Sequence, residues 1–249
     1  MPLSRYPLLE RIAARASAAP SAPAIVDVPH GVSVTYGELA ADIVRLGNLL
    51  LSTASVSDLG ESRIAILLQK GYLVPLALLS TWAAGGFALP VLPGLPVPEQ
   101  SYLVNNADCS LIICDAANRA RAEELVKEKN EGEAISILEI SLASLREGPA
   151  VADAPATLAG LSPIDGERRA MMLYTSGTTG RPKGAVTRHS ALAAQVQSVV
   201  SAWHWSETDN LLHILPLNHL HGIAVALLPT LWAGAAVEMW EKFDGPKVS

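Results

Sequence analysis

An α/β fold, with largely parallel sheets covered by helices, is what this sequence predicts, and three observations carry the prediction. Short apolar runs of strand length, such as Arg63-Ile64-Ala65-Ile66-Leu67-Leu68 and Phe87-Ala88-Leu89-Pro90-Val91, alternate with stretches of helical periodicity. Hydrophobic residues make up 50% of the chain but aromatics only 5%, so a sizeable core has to be built from Ala, Leu, Val and Ile. No internal repeat or low-complexity segment breaks the alternation over the 249 residues.

The elements follow in order. Leu8 to Arg15 reads as a first helix, and Ala24-Ile25-Val26-Asp27 after Pro20 as a strand. Val32 to Tyr36 alternates as a second strand, and Thr35 stands three residues before Glu38, the spacing of a capping box. A helix is therefore expected from Gly37 to about Leu51, with Leu39, Ile43, Leu46 and Leu50 on one face. Next come a buried strand at Arg63 to Leu68, a helix from Leu73 to Ala84 and a strand from Phe87 to Val91. A helix around Glu99 to Asn106, a strand Leu111 to Cys114 and a helix from about Asn118 to Lys129 continue the pattern.

Between 130 and 165 only Ile135 to Ile140 reads as a strand, and the rest reads as a connection. Beyond it, Ser190 is expected to cap a helix from Ala191 to about Trp203. Leu211 to Leu215 is a strand, Ile223 to about Ala233 an apolar helix and Ala235 to Met239 a last strand. This divides the chain into a first sheet region, 1–165, and a second region, 166–249.

Composition excludes several functions. With a net charge of −6 and no run of Lys or Arg, there is no electrostatic footprint for nucleic acid or an anionic membrane. Two charge-free apolar stretches, Gly71 to Pro98 and Leu211 to Val237, are each broken by prolines, with histidines in the second. They read as buried helix-and-strand segments, and no membrane span is expected. Cys109 and Cys114, the two cysteines, stand five positions apart, an odd separation that would put them on opposite faces of one strand as core thiols outside a disulfide. Arg5, Arg11 and Arg15 give the first residues a faint mitochondrial-leader look, but the helix Leu8 to Arg15 runs directly into the first strand, so a cytoplasmic location is expected.

The chemistry is concentrated in residues 174–184, Tyr174-Thr175-Ser176-Gly177-Thr178-Thr179-Gly180-Arg181-Pro182-Lys183-Gly184. The glycines let several main-chain N–H groups converge on one anion, the hydroxyls add donors, and Lys183 adds a point charge on a flexible stem. Neither the Walker pattern nor the dinucleotide fingerprint is present. On composition alone the stretch fits a plain surface turn as well as a phosphate cradle, and Lys183 alone fits a solvated lysine after a proline.

The full string closely resembles the signature loop of the adenylate-forming superfamily, which includes acyl-CoA synthetases, aryl-CoA ligases, luciferases and peptide-synthetase adenylation domains. The resemblance extends along the chain through Thr35-Tyr36-Gly37-Glu38-Leu39, Trp82-Ala83-Ala84-Gly85-Gly86-Phe87-Ala88-Leu89-Pro90 and Leu215-Pro216-Leu217-Asn218-His219. It implies the amino-terminal part of the large domain of an AMP-forming acid–CoA ligase, with the carboxy-terminal domain absent from these 249 residues. The implied reaction joins a carboxylic acid to ATP as acyl-AMP and then to CoA, with magnesium as cofactor and its ligand expected outside this chain.

By the same resemblance, Thr175, Ser176, Gly177, Thr178, Thr179, Gly180, Arg181, Pro182 and Lys183 bind the nucleotide phosphates, and Lys183 and His219 carry catalysis. His219, His221 and Gly222 would border the acid. The His-x-His-Gly form is similar to synthetases for malonate and oxalate, which implies a short acid, with a dicarboxylic one in view. Asn218 departs from the aromatic or histidine usual there, and the arginine for a second carboxylate would fall beyond Ser249.

On spacing alone, His219 and His221 also fit a metal pair or loop histidines satisfied by backbone, but no third ligand type lies near in sequence and no metal site is expected. His189 stands where the family has a histidine after the loop, with its neighbours in a different order. His30, His204 and His213 are unassigned, and the five tryptophans read as packing. Two functions follow from the missing half: a ligase completed by another chain, or a non-catalytic remnant that binds nucleotide or a partner.

Overall fold

The computed structural model describes residues 4–5, 7–128, 134–175 and 180–242. Strand β1 (Ser4–Arg5) leads into helix α1 (Pro7–Ala18), strands β2 (Pro23–Asp27) and β3 (Val32–Thr35), and helix α2 (Tyr36–Thr53). The capping box is formed: Glu38 N–H donates to Thr35 Oγ1, and Thr35 N–H donates to Glu38 Oε2 at 2.8 Å. Strand β4 (Arg63–Leu67), helix α3 (Leu73–Ala83), strand β5 (Phe87–Pro90), helix α4 (Val97–Asn106), strand β6 (Leu111–Cys114) and helix α5 (Arg119–Lys127) follow as the alternation predicts.

The region from 134 to 165 holds more than the expected strand. Besides β7 (Ser136–Glu139) it contains α6 (Leu142–Arg146), α7 (Ala154–Ala159) and β8 (Ser162–Pro163). Both helices are too short for periodicity to reveal, but Ser141 and Asp153 cap them through their side chains. Helix α6 is docked by Arg146, whose guanidinium donates to the fully buried Asp42 carboxylate of α2 at 2.8 Å. Tyr72 Oη donates to the same carboxylate, and burial with this neighbour pushes its phenol well above the ordinary value.

Past the signature loop the sequence reading needs a second correction. Strand β9 (Arg169–Thr175) is followed by a strand, β10 (Lys183–Arg188), and helix α8 (His189–Trp203) begins directly after it. Arg188, not Ser190, occupies the N-cap, and Ser190 Oγ instead donates to Glu167. β10 escapes a periodicity search because it is an edge strand with almost every residue exposed. Then come β11 (Asn210–His213), a π-helical segment His221–Leu227 running into α9 (Leu228–Ala233), and β12 (Ala236–Met239).

The larger sheet has the order β10-β9-β5-β4-β6-β7 and is parallel except for β10. The smaller has the order β11-β12-β2-β3 and is parallel except for β3. Both of these sheets take strands from both sides of residue 165, while β1 and β8 pair in a separate two-stranded sheet. From Ile64 to Leu67 β4 is apolar at every position because both its faces are covered. Ile64 and Ile66 enter the main core, while Ala65 and Leu67 join a smaller cluster under α4 and α5. Helix α3 is buried all round, and its Trp82 Nε1 donates to the Ala170 carbonyl of β9 at 2.7 Å.

Neither Cys109 nor Cys114 is in a disulfide, as expected, but both enter the smaller cluster instead of lying on opposite faces. Cys109 precedes β6, just after Asp108 with φ of 52°, so the two-residue alternation does not run through it. Burial pushes the Cys114 thiol up to about 11. No helix among the described residues is long and apolar enough to cross a membrane. Arg11 and Arg15 lie on α1, which buries Leu8, Leu9 and Ile12 and ties Arg15 to Glu207 at 2.6 Å.

Candidate active site

The signature loop starts and ends on one strand pair. Thr175, the last residue of β9, is in register with Lys183, the first of β10, and Thr175 Oγ1 reaches the Lys183 carbonyl at 3.5 Å. The loop between them is therefore closed at its base, as a cradle for one small anion requires. Ser176, Gly177, Thr178 and Thr179 lie outside the described residues. Gly180 has φ of 119°, a conformation that residues with a Cβ rarely adopt. Thr175, Gly180, Arg181 and Lys183 are exposed, and Pro182 is half-buried.

The arginines around this hairpin are committed to carboxylates. Arg168 pairs with Asp58 at 2.6 Å, Arg169 with Glu61 at 3.1 Å, and Arg188 with Glu167. Those guanidinium hydrogen bonds hold the Asp58 and Glu61 carboxyls below the usual range. Among the described residues neither Arg181 nor Lys183 is paired with an acid. Both loop cations are thus left without a carboxylate among the described residues, and the residues present fit a polyphosphate.

The histidine turn is built on the other sheet. His213 closes β11, is buried, and donates Nε2–H to the Gly222 carbonyl at 2.9 Å, while burial lowers its proton affinity. Gly222 itself is buried against the Pro216 carbonyl, where an added Cβ would lie 2.2 Å from the oxygen. This packing fixes the turn that carries Pro216, Leu217, Asn218 and His219. His219 and His221 are exposed. Thr175 and Lys183 are thus brought together, whereas His219 and His221 stand on a different sheet's connection. His189 is buried edge-on to Trp82 at 5.8 Å, and burial, with Arg168 nearby, pushes it down to about 4. It is a neutral core histidine.

One residue near the turn was not singled out from the sequence. Lys70, after β4, donates to the Ile214 carbonyl at 2.8 Å and lies 3.4 Å from the Glu241 carbonyl, joining the ends of the two sheets. Burial lowers its proton affinity. It lines a cleft of about 190 Å³ with Val91, Pro216, Leu217 and Asn218, and Asn218 Oδ1 is buried there without a hydrogen-bond partner among the described residues. A lone charge, beside Gln69, in the mostly apolar run from Ile64 to Leu79 was the signal available. Among the described residues, no group of three or more His, Cys, Asp or Glu could hold a metal ion.

The family model described as "AMP-binding enzyme" matches residues 12–248, practically the whole chain. The chain belongs to the AMP-binding enzymes. Within that family it is similar to a CoA ligase of Gibberella moniliformis, 36% identical over 226 residues, which cover 90% of this chain and 37% of the relative. A mitochondrial malonate-CoA ligase of Mus musculus is 34% identical over 227 residues, covering 85% of this chain and 36% of the relative. Among solved structures, ATP-bound MatB from Rhodopseudomonas palustris superposes with a TM-score of 0.74 at 28% identity, covering 96% of this chain and 46% of that one. The chain therefore spans less than half the length of these AMP-binding relatives.

Proposed function

We propose that this chain carries the triphosphate-binding and acid-facing part of an AMP-forming carboxylic acid–CoA ligase. The observation that carries the reading is the contrast at the hairpin: among the described residues, arginines on its strands and flanks are neutralised by carboxylates, while Arg181 and Lys183 are not. A carboxylate resists attack by a thiol until its oxygen becomes a good leaving group. Attack of the carboxylate oxygen on the α-phosphorus of ATP provides this, with the bond to pyrophosphate breaking as the acyl-AMP bond forms. Negative charge then accumulates on the departing phosphates, and catalysis is mostly positioning and charge stabilisation.

In this reading Thr175 to Lys183 hold the β- and γ-phosphates, and Lys183 follows the pyrophosphate as it leaves. His219 faces the carboxylate, with His221 and the Gly222 backbone beside it. CoA thiolate then displaces AMP to give the thioester. Magnesium arrives with ATP, its protein ligand expected outside these residues. A short acid fits best: relatives with malonate-CoA ligase names support it, and the small cleft bordered by Leu217 and Asn218 agrees.

Acid-dependent exchange of labelled pyrophosphate into ATP tests the proposal, using malonate, oxalate and a medium-chain acid. Exchange with a short acid that Lys183→Ala abolishes is the expected result. ATP binding that Lys183→Ala weakens, without exchange for any acid, would support instead a nucleotide-binding unit that needs another chain to act.

A further inference from the structure

We propose that helix α4 is the clamp of the phosphate loop and that Tyr102 is its positioning residue, an inference that rests on the phosphate reading above. Both stems of the loop are fastened to this one helix. On the entry side Tyr174 Oη donates to Asn106 Oδ1 at 2.7 Å. On the exit side Tyr102 Oη donates to the Pro182 carbonyl at 3.0 Å, and the Arg181 guanidinium lies over the Tyr102 ring, 5.5 Å from its centroid. The two tyrosines meet edge to face at 6.3 Å, which couples the stems to each other.

The helix is itself held. Gln100 is fully buried, donates to the Leu92 and Pro93 carbonyls, and accepts from Arg121 at 2.9 Å. Tyr102 and Asn106 are four residues apart and so share a face of α4. Among the described residues no carboxylate takes Arg181; an aromatic face orients it. Lys183 follows two residues after Arg181, so fixing Arg181 and Pro182 fixes where the Lys183 backbone starts. Stems held in this way lose less freedom when phosphate binds, and that saving appears as affinity for the β- and γ-phosphates alone.

The test compares binding of ATP and AMP by calorimetry, since AMP lacks the β- and γ-phosphates. The proteins are the full chain and its Lys183→Ala, Tyr102→Phe, Tyr102→Ala and Glu99→Gln variants. Tyr102→Ala is expected to weaken ATP about tenfold, the effect of losing a hydrogen bond and a cation–π contact together, and to leave AMP unchanged. Tyr102→Phe, which keeps the ring, should weaken ATP about twofold to threefold, and Glu99→Gln not at all.

A ligand-free readout accompanies it: trypsin is blocked at Arg181-Pro182 but cuts after Lys183, and Tyr102→Ala should speed that cut. Equal losses of ATP and AMP would mean general damage and overturn the clamp. So would ATP affinity and cleavage that Tyr102→Ala leaves unchanged while Lys183→Ala still weakens ATP, with the phosphate reading intact. Should the parent chain bind ATP no better than AMP, and Lys183→Ala change nothing, the phosphate reading falls and the clamp with it.

Discussion

The two stretches assigned to chemistry are held in opposite ways. The histidine turn is fixed from inside: Gly222 is wedged against the Pro216 carbonyl, buried His213 ties the strand to Gly222, and Lys70 fastens Ile214 to the other sheet. The phosphate loop hangs from an exposed edge strand, and its stems are held by a few polar and ring contacts at the surface. A group that borders a substrate of fixed shape gains from a rigid seat. One that must meet a departing pyrophosphate gains from firmly held stems.

The largest effect is expected where packing alone decides. Gly222→Ala places a Cβ 2.2 Å from a backbone oxygen that cannot move away. It should cost about 3 kcal/mol in urea unfolding, and a loss below 1 kcal/mol would show that the turn is not rigidly seated.

His189, at the far end of the phosphate-loop hairpin, gives an effect that depends on pH. Its folded value, about 4, lies below the ordinary 6.5, so the unfolded chain takes up the proton first as pH falls. The stability present above pH 6.5 is therefore lost as pH drops toward 4, by roughly 2 to 3 kcal/mol. A His189→Leu variant should flatten this slope, and an unchanged slope would place the acid sensitivity elsewhere.

The smallest effect belongs to the loop stem. Tyr174→Phe removes only the hydroxyl that donates to Asn106, and a loss of about 1 kcal/mol is expected. A loss as large as that of Gly222→Ala would erase the contrast between the two regions.

Much of the frame was legible in the sequence because it rests on local signals. Thr35 and Glu38 announced the start of α2, and the apolar runs at Ile64, Phe87 and Leu111 announced the parallel strands. β10 was not legible, since an exposed edge strand leaves no alternation to read, and α6 and α7 offered only their capping residues. The motif residues were visible, but their supports were not. Tyr102 meets Pro182 and Lys70 meets Ile214 across 80 and 144 positions of sequence. Such contacts follow from the order of strands in the sheets, which no local pattern encodes. The repeat of Tyr102 and Asn106 on one face of α4 was the trace available.

The central claim is that residues 175–183 hold the β- and γ-phosphates of ATP. Phosphorus NMR of ATP with magnesium, titrated with the chain, tests it most directly because each phosphorus is seen separately. The account predicts that the β and γ resonances broaden and shift well beyond the α resonance, and that Lys183→Ala abolishes the difference. Equal perturbation of all three resonances, or a pattern that Lys183→Ala leaves unchanged, would contradict it.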